Sequence, residues 1–229
     1  NYALRAFEAN AIDYLLKPIE RERLEESVAR AERAAGTHEE RQENDDRLGK
    51  LLYSYLVDAP FPYYEEMTVK RASLSFARHV EGPAAIPARM LTARPDGLFS
   101  LRGHPNLGMQ KPSSPMFRGK VIVLINGGSF STTAELITQL HDKKRVTFVG
   151  EESGGAYHGN NSGNDVTLVL PNSDLRIAIP LVTYKLAVTG KHPKGRGVVP
   201  EVEAIPEIAD YLGEKDVVLE KALRIARMK

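Results

Sequence analysis

Residues 121–141 read VIVLINGGSFSTTAELITQLH, and this stretch decides the fold. Val121 to Ile125 is an unbroken run of β-branched residues and leucine, bounded by Gly119 before it and by Asn126-Gly127-Gly128 after it. Apolar side chains on both faces mark a strand buried inside a sheet. Thr132 to His141 then brings Leu136, Ile137 and Leu140 to one helical face. Strand, glycine turn and helix predict an α/β unit in which the end of the strand feeds the start of a helix.

A hydroxyl arrives at that junction. Ser131 stands at the first turn of the predicted helix, where N–H groups have no intrahelical acceptor and the helix dipole favours an anion. A nucleophile placed there gains oxyanion donors from its own N–H and from that of Thr132. The same pattern also suits a plain N-cap, for which Ser129, Ser131, Thr132 and Thr133 all qualify. A phosphate-binding loop is the weakest reading, because the lysine of a P-loop is missing.

Working outward, Arg145 to Val149 (RVTFV) reads as a second strand, followed by Gly150 and the pair Gly154-Gly155. Val166, Leu168 and Leu170 alternate with polar residues, Pro171-Asn172-Ser173-Asp174 makes a turn, and Leu175, Ile177 and Ile179 alternate again. This pattern predicts a hairpin. A last helix is expected from about Asp216, presenting Leu219, Ala222, Leu223 and Ala226. Upstream, Leu48 to Val57 is amphipathic, Glu66 to Ser75 has room for a strand, and the Pro- and Gly-rich stretch Glu81 to Pro115 is expected to be mostly irregular. Residues 38–47 (HEERQENDDR) carry no large apolar side chain and read as a linker, junction or exposed helix end. Before them, residues 2–9 read as helix, Ala11 to Leu16 as a buried strand closed by Lys17-Pro18, and the segment from Ile19 as a second helix.

The chain has 229 residues, 42% hydrophobic and 27% charged, the composition of a globular protein. A formal net charge of +1 offers no electrostatic footprint for nucleic acid or an anionic membrane. No apolar stretch reaches the roughly 20 residues that a membrane-spanning helix needs. The absence of cysteine removes disulfides, thiolate zinc sites and a cysteine nucleophile together. No cluster of metal ligands is visible, so neither a metal nor an organic cofactor is expected.

Three stretches, Phe117 to Glu135 (FRGKVIVLINGGSFSTTAE), Val149 to Gly155 (VGEESGG) and Gly195 to Val202 (GRGVVPEV), resemble the C-terminal half of the tail-specific serine peptidases, the C-terminal-processing and tricorn-like family. A weaker likeness, in LLYSYL and HPNLGMQKP, extends back to about Asp45. The resemblance implies a ClpP/crotonase-like α/β fold, a mixed sheet with packed helices, over residues 48–229. It implies that Ser131 is the nucleophile, because Ser131 keeps the family's separation from the Val-Gly-Glu turn at Glu151 and Ser129 does not. Thr132 becomes the backbone oxyanion donor, and the substrate a peptide or protein. The lysine base of C-terminal-processing members falls at Ala156 here, and the acid before the Gly-x-Gly-Val turn of tricorn-like members falls near Lys194. The family's paired glycines, a second oxyanion donor, are missing from the segment before Leu48. Among six histidines, His158 in GGAYHGN is best placed as base. His104 and His192 flank prolines, and His38, His79 and His141 lack supporting context. Glu151 and Glu152 read as turn carboxylates.

Residues 1–34 resemble the last helix–strand–helix of a LytTR-class response-regulator receiver domain, with residues 35–47 as the charged junction. By that resemblance Lys17 is the phosphate-contacting lysine at a strand end, followed by a cis Pro18. A receiver implies cytoplasm, whereas peptidases of this family are commonly exported. The expected function is a serine peptidase working through an acyl-enzyme on Ser131. The alternatives are an inactive, peptide-binding relative and a truncated response-regulator fusion, with acyl-CoA chemistry on the related crotonase-type fold as the remotest.

Overall fold

The computed structural model describes residues 47–82, 84–161 and 163–228. The readings placed on residues 1–34, with Lys17 and Pro18, and on the junction up to residue 46 lie outside the described residues. Asp46–Lys229 forms one compact unit.

The unit opens on helix α1 (residues 47–54), whose inward side carries Tyr53 and Ser54. Six short strands follow: β1 (Phe61–Pro62), β2 (Tyr64–Val69), β3 (Val80–Glu81), β4 (Leu91–Ala93), β5 (Phe99–Leu101) and β6 (Met109–Gln110). Then come β7 (Ile122–Ile125), α2 (Ser131–Asp142), β8 (Thr147–Gly150), β9 (Gly159–Asn160), β10 (Asp165–Val169), β11 (Arg176–Pro180) and β12 (Val182–Leu186). The chain closes with β13 (Val202–Glu203), α3 (Ile208–Leu212) and α4 (Val217–Arg227).

Two sheets position the site. The first is parallel, in the order β13-β8-β7, with Ile122 opposite Thr147 and Ile125 opposite Gly150. Side chains pack on both of its faces, but β7 is an edge strand with Leu124 exposed rather than the fully buried strand expected from its apolar run. Phe148 joins Ile137 and Leu140 of α2 in the main core, while its neighbour Val149 turns the other way to meet Ala204 and Ala222, the latter on α4. The second sheet is antiparallel, in the order β4-β5-β2-β12-β9. Along β12, Val182, Tyr184 and Leu186 are buried, while Thr183 and Lys185 face outward, the period-2 alternation of a half-buried strand. Tyr64, Met67 and Val69 of β2 are buried beside them. Two smaller sheets, β11-β10-β3 and β1-β6, complete the unit.

The fold is mixed α/β, as expected, and the elements read most firmly from the sequence are present. The hairpin pairs Val169 with Arg176 around the Pro171–Asp174 turn. Asp216 caps α4, its carboxylate accepting the Leu219 N–H at 2.8 Å. The stretch Glu81 to Pro115 differs from expectation, because β4, β5 and β6 lie within it and Glu81 closes β3. Its core is a hairpin turning at Arg94–Leu98, where Gly97 has φ 80° and the Asp96 carboxylate accepts the Leu98 N–H. Strands of two or three residues are too short to display a period, so their pairing is decided across the sheet. Helix α3 was also not anticipated. It is started by a capping box between Glu207 and Asp210, and its five residues, with Ile208, Tyr211 and Leu212 all exposed, are too few to display a helical period.

Asp216→Ala removes the α4 cap and is expected to cost about 1 kcal/mol, read as a lower urea midpoint at unchanged slope.

Candidate active site

The site is built by the turn after β7. Asn126 Oδ1 accepts the Gly128 N–H at 2.9 Å, and the Ser129 N–H donates to the Asn126 carbonyl at 2.9 Å. The Asn126 N–H in turn donates to Ser129 Oγ at 3.3 Å. Ser129 is buried and spent on the turn, which separates it from the exposed Ser131 two residues on. Phe130 is extended and caps α2, its carbonyl accepting the Thr133 and Ala134 N–H groups. Ser131, the first helical residue, has φ 51°. The left-handed region costs an L-residue about 1 kcal/mol or more, and such strain survives only where surrounding bonds over-determine it.

Those bonds come from the VGEESGG segment. The Glu151 N–H donates to the Ile125 carbonyl at 2.9 Å, and the Gly155 N–H to the Ser129 carbonyl at 3.0 Å. The approach is so close that a Cβ on Gly155 would lie 2.3 Å from the Ala134 Cβ, and one on Gly154 would lie 2.2 Å from the Gly127 carbonyl oxygen. Glu152 accepts from the Arg196 guanidinium and, at 2.9 Å, from the Gly197 N–H; both lower its pKa, to about 2. It ties two loops together, a structural task.

Ser131 opens onto a cleft of about 690 Å³. Phe130, Gly154, Gly155, Ala156, His158 and Asn160 line it together with Glu66, Thr68, Thr183 and Lys185. The structure therefore brings Ser131 and His158 to one cleft, with Ala156 where a lysine base was sought. Thr132 sits behind Ser131, its methyl packed against Gly49 of α1 so closely that a Cβ there would lie 2.6 Å away. Its N–H belongs to the first turn of α2.

The remaining histidines do other work. His192 stacks on Tyr157 with ring centroids 4.1 Å apart, and its Nε2 lies 2.7 Å from the Gly197 carbonyl. His141 Nδ1 lies 3.0 Å from the Tyr157 hydroxyl, an arrangement that locks the end of α2 to the segment bearing His158. Burial pushes the Tyr157 hydroxyl up to about 12. His104 packs beside Tyr64 and Tyr184, where burial and then the nearby Lys50 charge push it down to about 4. His79 is half-buried at the end of a 3-10 turn, its Nε2 accepting from Arg78 Nε at 3.0 Å, and His38 lies outside the described residues.

Sequence reasoning missed three polar groups that shape this region. Lys185 lines the cleft and donates to Glu65 at 2.8 Å, with Glu66 also near; the Glu65 bond raises its pKa and holds it protonated, unfit as a base. Glu66 lines the same wall and also pairs with Arg94. Glu135, buried one turn beyond Ser131, accepts from the Tyr64 hydroxyl and from the Asn160 carboxamide. The available signal was the spacing of Ser131, Glu135 and Gln139, a polar stripe on a helix whose neighbours are apolar.

A strained serine at a strand–turn–helix junction, in a cleft with a histidine, is the class of site that serine hydrolases use. The profile of peptidase family S41 matches residues 31–204, and the chain belongs to that family of serine-type peptidases, which includes C-terminal processing proteases. Solved structures similar to the chain include a crystallised candidate peptidase from Parabacteroides merdae ATCC 43184, at 17% identity and TM-score 0.48 over 92% of this chain and 58% of that one. Another is the photosystem II D1 C-terminal processing protease, at 19% identity and TM-score 0.34 over 80% of this chain and 36% of that one. The chain thus spans little more than half the length of the first and about a third of the second. Comparison with the curated proteins finds none that matches.

Two outcomes are expected here. Gly155→Val cannot fit against Ala134 without moving the turn, so it should destabilise by about 1–3 kcal/mol and depress Ser131 reactivity together. For His104, the unfolded chain takes up a proton below pH 6.5 while the folded chain resists until about 4. Stability is therefore complete above pH 6.5 and declines as pH falls toward 4, by about 2 kcal/mol after allowance for partial exposure. Urea unfolding across that range should show the slope, and His104→Phe should flatten it.

Proposed function

We propose that the chain is a serine endopeptidase domain in which Ser131 is the nucleophile. The observation that carries this reading is the left-handed Ser131 at the start of α2, facing a cleft that also holds His158. Ser131 Oγ attacks the peptide carbonyl carbon while His158 takes the hydroxyl proton, and the carbonyl oxygen becomes an oxyanion beside the Thr132 N–H. Collapse breaks the C–N bond, and the proton passes from His158 to the leaving amine. Water then attacks the acyl-enzyme, giving its proton to His158, and Ser131 leaves re-protonated. The substrate class is peptide or protein.

A second reading is an inactive relative that holds an extended peptide. Its support is that Ala156 stands at the lysine position and that Lys185 is held charged by carboxylates. On the sequence pattern alone, residues 1–34 read as a receiver fragment joined to this domain, with Lys17 as its phosphate-contacting lysine and residues 35–47 as the junction.

The test is labelling of the folded chain by an alkyl fluorophosphonate. Ser131 should be labelled, Ser131→Ala should abolish labelling with stability unchanged within about 0.5 kcal/mol, and His158→Ala should slow it by about two orders of magnitude. An unlabelled parent that still retains peptide after Ser131→Ala establishes the binding module instead.

A further inference from the structure

A second cavity, of about 310 Å³, opens where the chain leaves α1. Lys143, which follows the last residue of α2, lines it, whereas Ser131 is the first residue of that helix. A helix of 12 residues sets the two ends about 18 Å apart. The apolar lining includes Leu56, Val57, Phe61 and Met116. Two cations, Lys143 and Arg145, stand against one carboxylate, Asp58.

Arg145 is held in place from one side. Its Nε donates to the Leu56 carbonyl at 2.9 Å, and its Nη2 to the Phe117 and Gly119 carbonyls at 2.6 and 3.2 Å. Among the described residues Nη1 has no acceptor and no carboxylate pairs with the guanidinium, which cannot shed its proton. Tyr53 also lines the cavity, is fully buried, and its hydroxyl has no hydrogen-bond partner among the described residues. Burial, and then the Asp142 charge, raise its pKa, so the phenol stays a neutral donor. Asp142 itself is spent on Lys143 and on the Thr189 and Gly190 N–H groups. An unsatisfied donor and an unpaired cation in one largely apolar cavity are what an anion with an apolar body would complete.

We propose that this cavity binds a small monocarboxylate with an unbranched apolar chain, its carboxylate accepting from Arg145 Nη1 and from the Tyr53 hydroxyl. The chain lies against Leu56, Phe61 and Met116. The planar guanidinium suits a carboxylate, and its three carbonyl bonds fix it before the ligand arrives, so little freedom is lost on binding. The site shares no lining residue with the Ser131 cleft and goes beyond the peptidase reading without resting on it.

Octanoate and octanamide share a chain and differ in charge. Each is titrated by calorimetry into the full chain, and the methyl resonance of Met116, assigned through Met116→Leu, reports the cavity. Octanoate should bind with a Kd below about 1 mM and move that resonance saturably, and octanamide should bind at least about tenfold more weakly. Arg145→Gln should weaken octanoate by about tenfold or more. Tyr53→Phe should weaken it about fivefold, with a thermal midpoint equal to or above the parent's because an unpartnered hydroxyl is gone. Ser131→Ala should bind octanoate as the parent does.

A Met116 signal that does not move, shifts spread evenly over the other methionines, or equal binding of the amide overturns the proposal. So does parental affinity in Arg145→Gln or Tyr53→Phe, or loss of binding in Ser131→Ala. If Arg145→Gln does not fold, Met116→Trp fills the cavity without removing the guanidinium, and octanoate binding that survives it counts against the site equally.

Discussion

A buried carboxylate joins the two halves of this domain. Helix α2 packs through Ile137 and Leu140 onto the parallel sheet, yet its Glu135 is bonded to Tyr64 of the antiparallel sheet and its Gln139 to the Tyr63 carbonyl just before that strand. Hydrophobic contact tolerates small rotations of a helix, whereas a buried hydrogen-bonded group does not, since losing its partner leaves it unsatisfied at a cost of about 1–3 kcal/mol. The rotation of α2 is therefore set by polar bonds, and the direction in which Ser131 faces follows from it.

The strain at Ser131 depends on the same framework. A left-handed serine is unfavourable in isolation, and here the Asn126–Ser129 bonds below and the Gly155 N–H alongside leave the backbone no alternative. Close approach of the Gly154-Gly155 bend is what makes that clamp possible. The result sets the candidate nucleophile between a parallel sheet, whose strand and helix deliver it, and an antiparallel sheet, whose strands β2, β12 and β9 line the cleft.

Much of this was legible. The run Val121–Ile125, the turn glycines and the apolar face of Thr132–His141 are local patterns, and they specified β7, α2 and the hydroxyl between them. The choice of Ser131 over Ser129 came from its separation to Glu151, and in the structure Ser129 closes the turn while Ser131 faces the cleft. Lys185 and Glu66 were not legible, because an exposed charge on an alternating strand looks the same whether it faces solvent or a cleft. The short strands between Glu81 and Pro115 were hidden for a related reason: two or three residues show no period.

By itself the sequence determined the strand–glycine–helix unit, the hairpin, the cap at Asp216 and the position of the candidate nucleophile. Each depends on neighbours a few residues apart, where spacing and backbone chemistry act directly. Only the tertiary structure decided what surrounds Ser131. The partners of Glu135 lie 71 and 25 residues away, and the cleft draws on segments from Glu66 to Lys185. Such contacts are selected by the packing of whole sheets against α2, and no local pattern of residues encodes them.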